Sequence, residues 1–185
     1  MPAADEQRLI ENAKDGNHEA FRQLVERHMK QAYDVAYNFV NDHEQAEDIV
    51  QEAFVRAYRS LSSFRGEAGF GTWLYRIVTN LSLNSVAQTK RKARYVVDTV
   101  DVSSIPALST NDLPEAHDMA LHIERALHEL PTLQRAVVIL RHMDGLSTRQ
   151  VSTILRCSEG TVKTHLHRGL KKMKIKLGFL KEDAR

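Results

Sequence analysis

From Ala20 to Phe39 apolar side chains return every three or four residues: Ala20, Phe21, Leu24, Val25, Met29, Ala32, Val35, Ala36 and Phe39. That spacing lines one buried face of an α-helix, whereas a half-buried strand would alternate with a period of two. The rhythm returns at Ala46, Ile49, Val50, Ala53, Phe54, Ala57, Tyr58 and Leu61, and again at Leu74, Ile77, Val78 and Leu81. Asn17, just after Asp15-Gly16, can cap the first of these helices. At 64–71 the stretch "FRGEAGFG" sets three glycines within six positions, which breaks the helical run and permits unusual backbone angles. A further helix is expected from about Thr72 into "QTKRKAR". The pattern is helical nearly throughout, so the expected fold class is all-α.

From about Val96 to Asp118 the periodicity fades. This stretch holds two of the four prolines among many Ser, Thr, Asp and Asn residues, and reads as a flexible acidic linker without a core of its own. Helical spacing resumes at Met119, Ile123, Ala126, Leu127 and Leu130. The expected organisation is two small helical domains, 1–95 and 119–185, joined by the linker 96–118, with no internal repeat.

A formal net charge of +2 names no partner, but the distribution is sharper. Between Arg141 and Leu180 nine Lys and Arg residues stand against only Asp144 and Glu159. Between Tyr95 and Glu124 there are six acids and no Lys or Arg. Such asymmetry points to nucleic acid or another charged macromolecule. The single cysteine, Cys157, excludes an internal disulfide and any multi-cysteine metal site, and a reducing, cytoplasmic compartment fits it. The opening "MPAADEQRLI" lacks the basic start and apolar stretch of a signal peptide. The longest strongly apolar run, "AVVIL" at 136–140, is far short of the roughly 20 residues a membrane span needs. His165 and His167 are two positions apart, about 200° around a helix, and do not converge on a metal. His117, His122 and His128 read as surface histidines. Neither a metal nor a cofactor is expected.

In the C-terminal segment Pro131 suits the first turn of a helix and Gly145 its end. Ser147 and Gln150 can form a reciprocal capping box for a short helix whose buried side is Val151, Ile154 and Leu155. Ser158 can cap the last helix, with Val162, Leu166, Leu170, Met173 and Leu177 in its apolar stripe. Opposite the stripe fall Thr161, Thr164, His165, His167, Arg168, Lys171 and Lys172. A short capped helix, a tight turn and a second helix with cationic residues outward make a helix-turn-helix pattern. Residues near the start of its second helix would face base edges, and Lys and Arg further along would meet phosphates. A solvated helix of an ordinary bundle, or a basic helix on a membrane surface, are the alternatives.

In the N-terminal segment the second helix carries Glu47, Asp48, Gln51 and Glu52 on its outward side. They read either as an ordinary solvated face or as a docking surface for a basic protein partner. Beyond the glycine-rich loop, Trp73, Arg76, Asn80, Asn84 and Arg91 recur at helical spacing and share a face. An aromatic, amides and cations on one surface suit single-stranded nucleic acid: the ring stacks on unpaired bases, Asn reads their edges and cations hold phosphate. Trp73 also reads as a plain core tryptophan.

The blocks "AEDIVQEAFVRAY", "FRGEAGFGTWLYRIVTN" and "LPTLQRAVVILRHMDGLSTRQVSTILRCSEGTVKTHLHR", in that order over nearly the whole chain, resemble the extracytoplasmic-function (ECF) group of bacterial sigma factors. The resemblance implies a sigma region 2 bundle and a sigma region 4 helix-turn-helix. It also implies a non-enzymatic subunit that binds core RNA polymerase, through the β′ clamp helices and the β subunit, and directs it to promoters. Stress or envelope responses are the usual setting, and an anti-sigma factor is the usual restraint. By position, Glu47, Asp48, Gln51 and Glu52 would dock the core. Phe64, Arg65, Gly66 and Glu67 of the loop, with Trp73, Arg76, Asn80, Asn84, Lys90 and Arg91, would handle the −10 element as a single non-template strand with one base flipped out. Ser158, Thr161, Lys163, Thr164, His165, His167, Arg168 and Lys171 would read the −35 element as duplex. The acidic linker would thread a positively lined channel of the polymerase, although a solvated linker would have the same composition. Arg76 and Ile77 stand where housekeeping relatives carry adjacent melting aromatics, which implies opening with less help from stacking.

Two rival functions differ in class. A helix-turn-helix regulator would bind duplex DNA tightly without polymerase, but has no need of the loop followed by Trp73, Arg76 and Asn80. A helical hydrolase would need a nucleophile–base or metal pattern, and none is visible.

Overall fold

The computed structural model describes residues 2–97 and 115–178, and every regular element among them is helical. The N-terminal module is built from α1 (Pro2–Lys14), α2 (His18–Val40), α3 (His43–Ser60), a 3-10 turn (Leu61–Ser63) and α4 (Phe70–Val97). The C-terminal module is built from α5 (Glu115–His128), α6 (Thr132–Val138), a π-helical turn (Ile139–Met143), α7 (Thr148–Leu155) and α8 (Glu159–Lys176).

Local chemistry sets these boundaries. Asn17 starts α2 by accepting from the Ala20 N–H at 3.0 Å. Asn41, at φ 53°, ends α2 in the left-handed conformation that asparagine tolerates better than most residues. The next residue, Asp42, accepts from Gln45 N at 2.7 Å and starts α3, so two adjacent residues turn the chain between antiparallel neighbours. Leu24, Val35, Phe39, Leu74 and Val78 are fully enclosed between α2, α3 and α4. In the second module Val137, Ile139, Leu140, Val151 and Val162 play that part.

Several expectations change. The chain has a first helix, α1, that the apolar spacing of the longer helices did not announce. It buries Leu9, Ile10 and Ala13, and its last residue, Lys14, donates to the Phe64 carbonyl at 2.7 Å. The helix expected from Thr72 begins at Phe70, because Phe70 is itself core at 1% exposed. Helix also reaches into both ends of the expected linker, to Val97 and from Glu115; residues 98–114 lie outside the described residues. The helix expected to run from Pro131 to Gly145 loosens after Val138 into a π turn, with Leu146 N bonded to the Leu140 carbonyl at 2.9 Å and Gly145 at φ +67°. Finally, the two modules pack on each other, α7 against α4 and the π turn against α2.

Candidate nucleic-acid interface

The C-terminal half of the candidate interface starts with caps. Ser147 Oγ accepts from Gln150 N, and Gln150 Oε1 accepts from Ser147 N, the reciprocal box expected from the sequence. Arg156, at φ 52°, closes α7, and the chain turns through half-buried Cys157, whose thiol pKa burial pushes up. Ser158 then caps α8, accepting from Thr161 N at 3.0 Å. Its hydroxyl also pairs with Thr161 Oγ1 at 2.8 Å, so both residues are committed to starting the helix. Ser158→Ala is therefore expected to lower stability by about 1 kcal/mol, read as a fall in thermal midpoint. An unchanged midpoint would show that the cap contributes nothing.

The exposed face of α8 carries Lys163, Thr164, His167, Arg168 and Lys171. His165, placed on this face by the sequence reading, turns toward the module instead: it is half-buried and its Nδ1 is enclosed without a hydrogen-bond partner. The apolar stripe is also rotated from its expected centre, for Leu170 is 36% exposed while Gly169 is buried. A Cβ at Gly169 would lie 2.7 Å from Val138 Cγ2, so the missing side chain is what lets α8 close on α6. Helical spacing of apolar residues could not reveal this, because glycine carries no hydrophobic signal.

In the N-terminal module, Phe64, Arg65, Gly66, Glu67, Trp73 and Arg76 do come together, around a cavity of about 630 Å³. Gly66 takes φ +72° to shape the loop. Phe64 is core rather than surface, at 6% exposed, with its ring centroid 5.0 Å from that of Trp73 and 6.0 Å from that of Phe70. Trp73 is half-buried: it rests on Phe64 and Phe70 and also lines the cavity. Asn80, Asn84 and Arg91 continue outward along α4, all exposed. The side chain of Lys90 lies outside the described residues.

Glu47, Asp48, Gln51 and Glu52 are all exposed on α3, with Glu52 paired to Arg56 at 2.7 Å. Beside them is a feature the sequence reading missed. Met29 and Tyr58, expected inside, are 42% and 40% exposed, and with Phe21, Val25, Phe54 and Val55 they line an open groove of about 840 Å³ between α2 and α3. Glu47, Gln51 and Arg59 form its polar edge. Exposed apolar grooves rimmed by polar groups recur at interaction and ligand-binding sites. The clue lay in apolar stripes wider than two packed helices can cover. Among the described residues, no group of three or more His, Cys, Asp or Glu is placed to hold a metal, and no helix is long and apolar enough to cross a membrane.

Known proteins share this arrangement. Residues 24–92 match Sigma-70 region 2, and residues 121–173 match Sigma-70, region 4. The chain is 34% identical to the ECF RNA polymerase sigma factor SigW of Bacillus subtilis, over 91% of this chain and 94% of that protein. It is also 34% identical to the ECF RNA polymerase sigma-E factor of Escherichia coli K12, over 88% and 89%. Its fold superposes on the structure of CnrH in complex with the cytosolic domain of CnrY with a TM-score of 0.70 at 25% identity, covering 94% of this chain and 97% of that one. A bundle carrying an aromatic, arginine-lined pocket and a capped cationic helix-turn-helix, matched in order along almost the whole length, place the chain in the sigma-70 family of RNA polymerase sigma factors, in its ECF group.

Proposed function

We propose that this chain docks core RNA polymerase through α2 and α3 and opens promoters by dividing recognition between its two modules, residues 1–95 and 119–185. Glu47, Asp48, Gln51 and Glu52 meet basic groups of the β′ clamp helices while the groove beside them takes apolar side chains. The cavity around Arg65, Trp73 and Arg76 accepts a flipped non-template base of the −10 element. Stacking on Trp73 recovers part of the energy lost when the base leaves the duplex, and the arginines hold phosphate. Asn80 and Asn84 contact the upstream edge of that element. Lys163, Thr164, His167, Arg168 and Lys171 enter the major groove at the −35 element. The chemistry of chain growth belongs to the polymerase, and this chain supplies no catalytic group. It acts in the cytoplasm, under the restraint of an anti-sigma factor.

The observation that carries this reading is the presence, in one chain, of a cavity lined by Arg65, Trp73 and Arg76 and a capped helix-turn-helix with a cationic outer face. A regulator that reads duplex alone has no use for the first. The test is transcription in vitro with purified core polymerase on a promoter library. Promoter-specific transcripts that require this protein are expected; their absence, where a known sigma factor works, sinks the reading.

A further inference from the structure

Lys14 is the last residue of α1 and is exposed. Its ammonium nevertheless reaches a loop 50 positions away. Nζ donates to the Phe64 carbonyl at 2.7 Å and stands 5.6 Å from the centroid of the Phe64 ring. Both contacts fall where the glycine-rich loop leaves the 3-10 turn, at the edge of the cavity lined by Arg65, Trp73 and Arg76. That loop is otherwise pinned near its ends. Phe64 N donates to the Leu61 carbonyl at 3.0 Å, and Trp73 N donates to the Gly69 carbonyl at 3.1 Å. The bond from Lys14 is charge-assisted, and such bonds are about twice as strong as neutral ones.

The helix that carries Lys14 is firmly seated. It buries Leu9, Ile10 and Ala13, Arg27 donates to Asp5 at 2.7 Å, and His28 Nε2 lies 2.7 Å from Glu6 Oε1. His28 in turn sets its Nδ1 3.0 Å from the Tyr75 hydroxyl and its ring 5.3 Å from that of Phe70. Phe64 and Phe70 are the two rings on which Trp73 rests. Helix α1 therefore reaches the floor beneath Trp73 from both sides, Phe64 directly through Lys14 and Phe70 through Glu6 and His28. A surface lysine adds little to stability, but a binding ring must be held in place by packing and supporting hydrogen bonds.

We propose that Lys14 is a positioning residue for the −10 strand. By holding the carbonyl and ring of Phe64 it fixes the aromatic floor under Trp73, and so sets the plane on which the flipped base stacks. The part played by the strand rests on the sigma-factor reading; the hold on Trp73 does not.

Trp73 is the only tryptophan in the chain, so its fluorescence reports this site directly. Lys14→Met keeps an apolar stem over Phe64 and removes the donor and the charge, whereas Lys14→Arg keeps both. The thermal midpoint should hold in each, because the side chain is exposed. In the free chain Lys14→Met is expected to shift Trp73 emission to the red and raise its quenching by acrylamide, and Lys14→Arg to restore the parent values. The second measurement, made with core polymerase, is binding of a single-stranded −10 oligonucleotide from a promoter that the parent transcribes. Lys14→Met is expected to weaken it about tenfold, within what one stacked base contributes, while footprint protection at the −35 element is unchanged. Emission and quenching that stay at the parent values overturn the hold on Trp73. Emission that moves while oligonucleotide affinity stays fixed overturns the positioning role, as does an equal loss at both elements or a loss that Lys14→Arg does not restore. Failure of the sigma-factor reading would show separately, as absent transcription by the parent while the Trp73 response to Lys14→Met persists.

Discussion

Gly169→Val is expected to destabilise the C-terminal module by roughly 3 kcal/mol, at the upper end of what overpacking usually costs. Even the first added carbon would lie 2.7 Å from Val138 Cγ2 and 3.5 Å from the Gln134 carbonyl oxygen. Val138 is 2% exposed and β-branched, so it can neither swing away nor change rotamer cheaply. Relief therefore requires α8 to move off α6, which displaces Lys163, His167 and Arg168 together. Thermal unfolding followed by circular dichroism should show a midpoint lowered by several degrees. Gly160→Ala is the control: its Cβ would meet only Ser158 Oγ at 3.7 Å, and alanine favours helix, so the midpoint should hold or rise. Equal midpoints for Gly169→Val and the parent would show that α8 does not depend on this close approach.

Arg168→Ala and Asn80→Ala are expected to divide promoter recognition between them. Both side chains are exposed, so neither change should move the thermal midpoint. A base contact is worth about 1–3 kcal/mol, roughly a five- to 150-fold loss in binding. With core polymerase present, Arg168→Ala should lose footprint protection at the −35 element and keep it at the −10 element. Asn80→Ala should do the reverse and slow strand opening. If each variant weakened both elements equally, the division of labour between α4 and α8 would be wrong.

The elements most readable in advance were those whose signals are local. Ser147 with Gln150, and Ser158 with Thr161, are caps written within four residues, and each forms as the spacing implies. The cationic face of α8 was legible for the same reason, since helical geometry alone separates Lys163, Thr164, His167 and Arg168 from Val162. The acidic positions on α3 were equally clear, though not the groove beside them. Met29 and Tyr58 carry the same apolar signal as Leu24 and Ala57, and only the separation of α2 from α3 leaves them uncovered.

By itself, the sequence determined an all-α chain, its principal helices and caps, a charged face on the last helix, and membership of a family recognisable from three ordered blocks. Tertiary structure alone decided that Phe64 lies inside, that Gly169 rather than Leu170 faces α6, and that Arg135 reaches across to Phe39. The physical reason is range. A cap or an amphipathic face depends on neighbours within one or two turns, whereas these outcomes depend on which surfaces meet. Arg135 and Phe39 are 96 positions apart, and no local pattern records their contact.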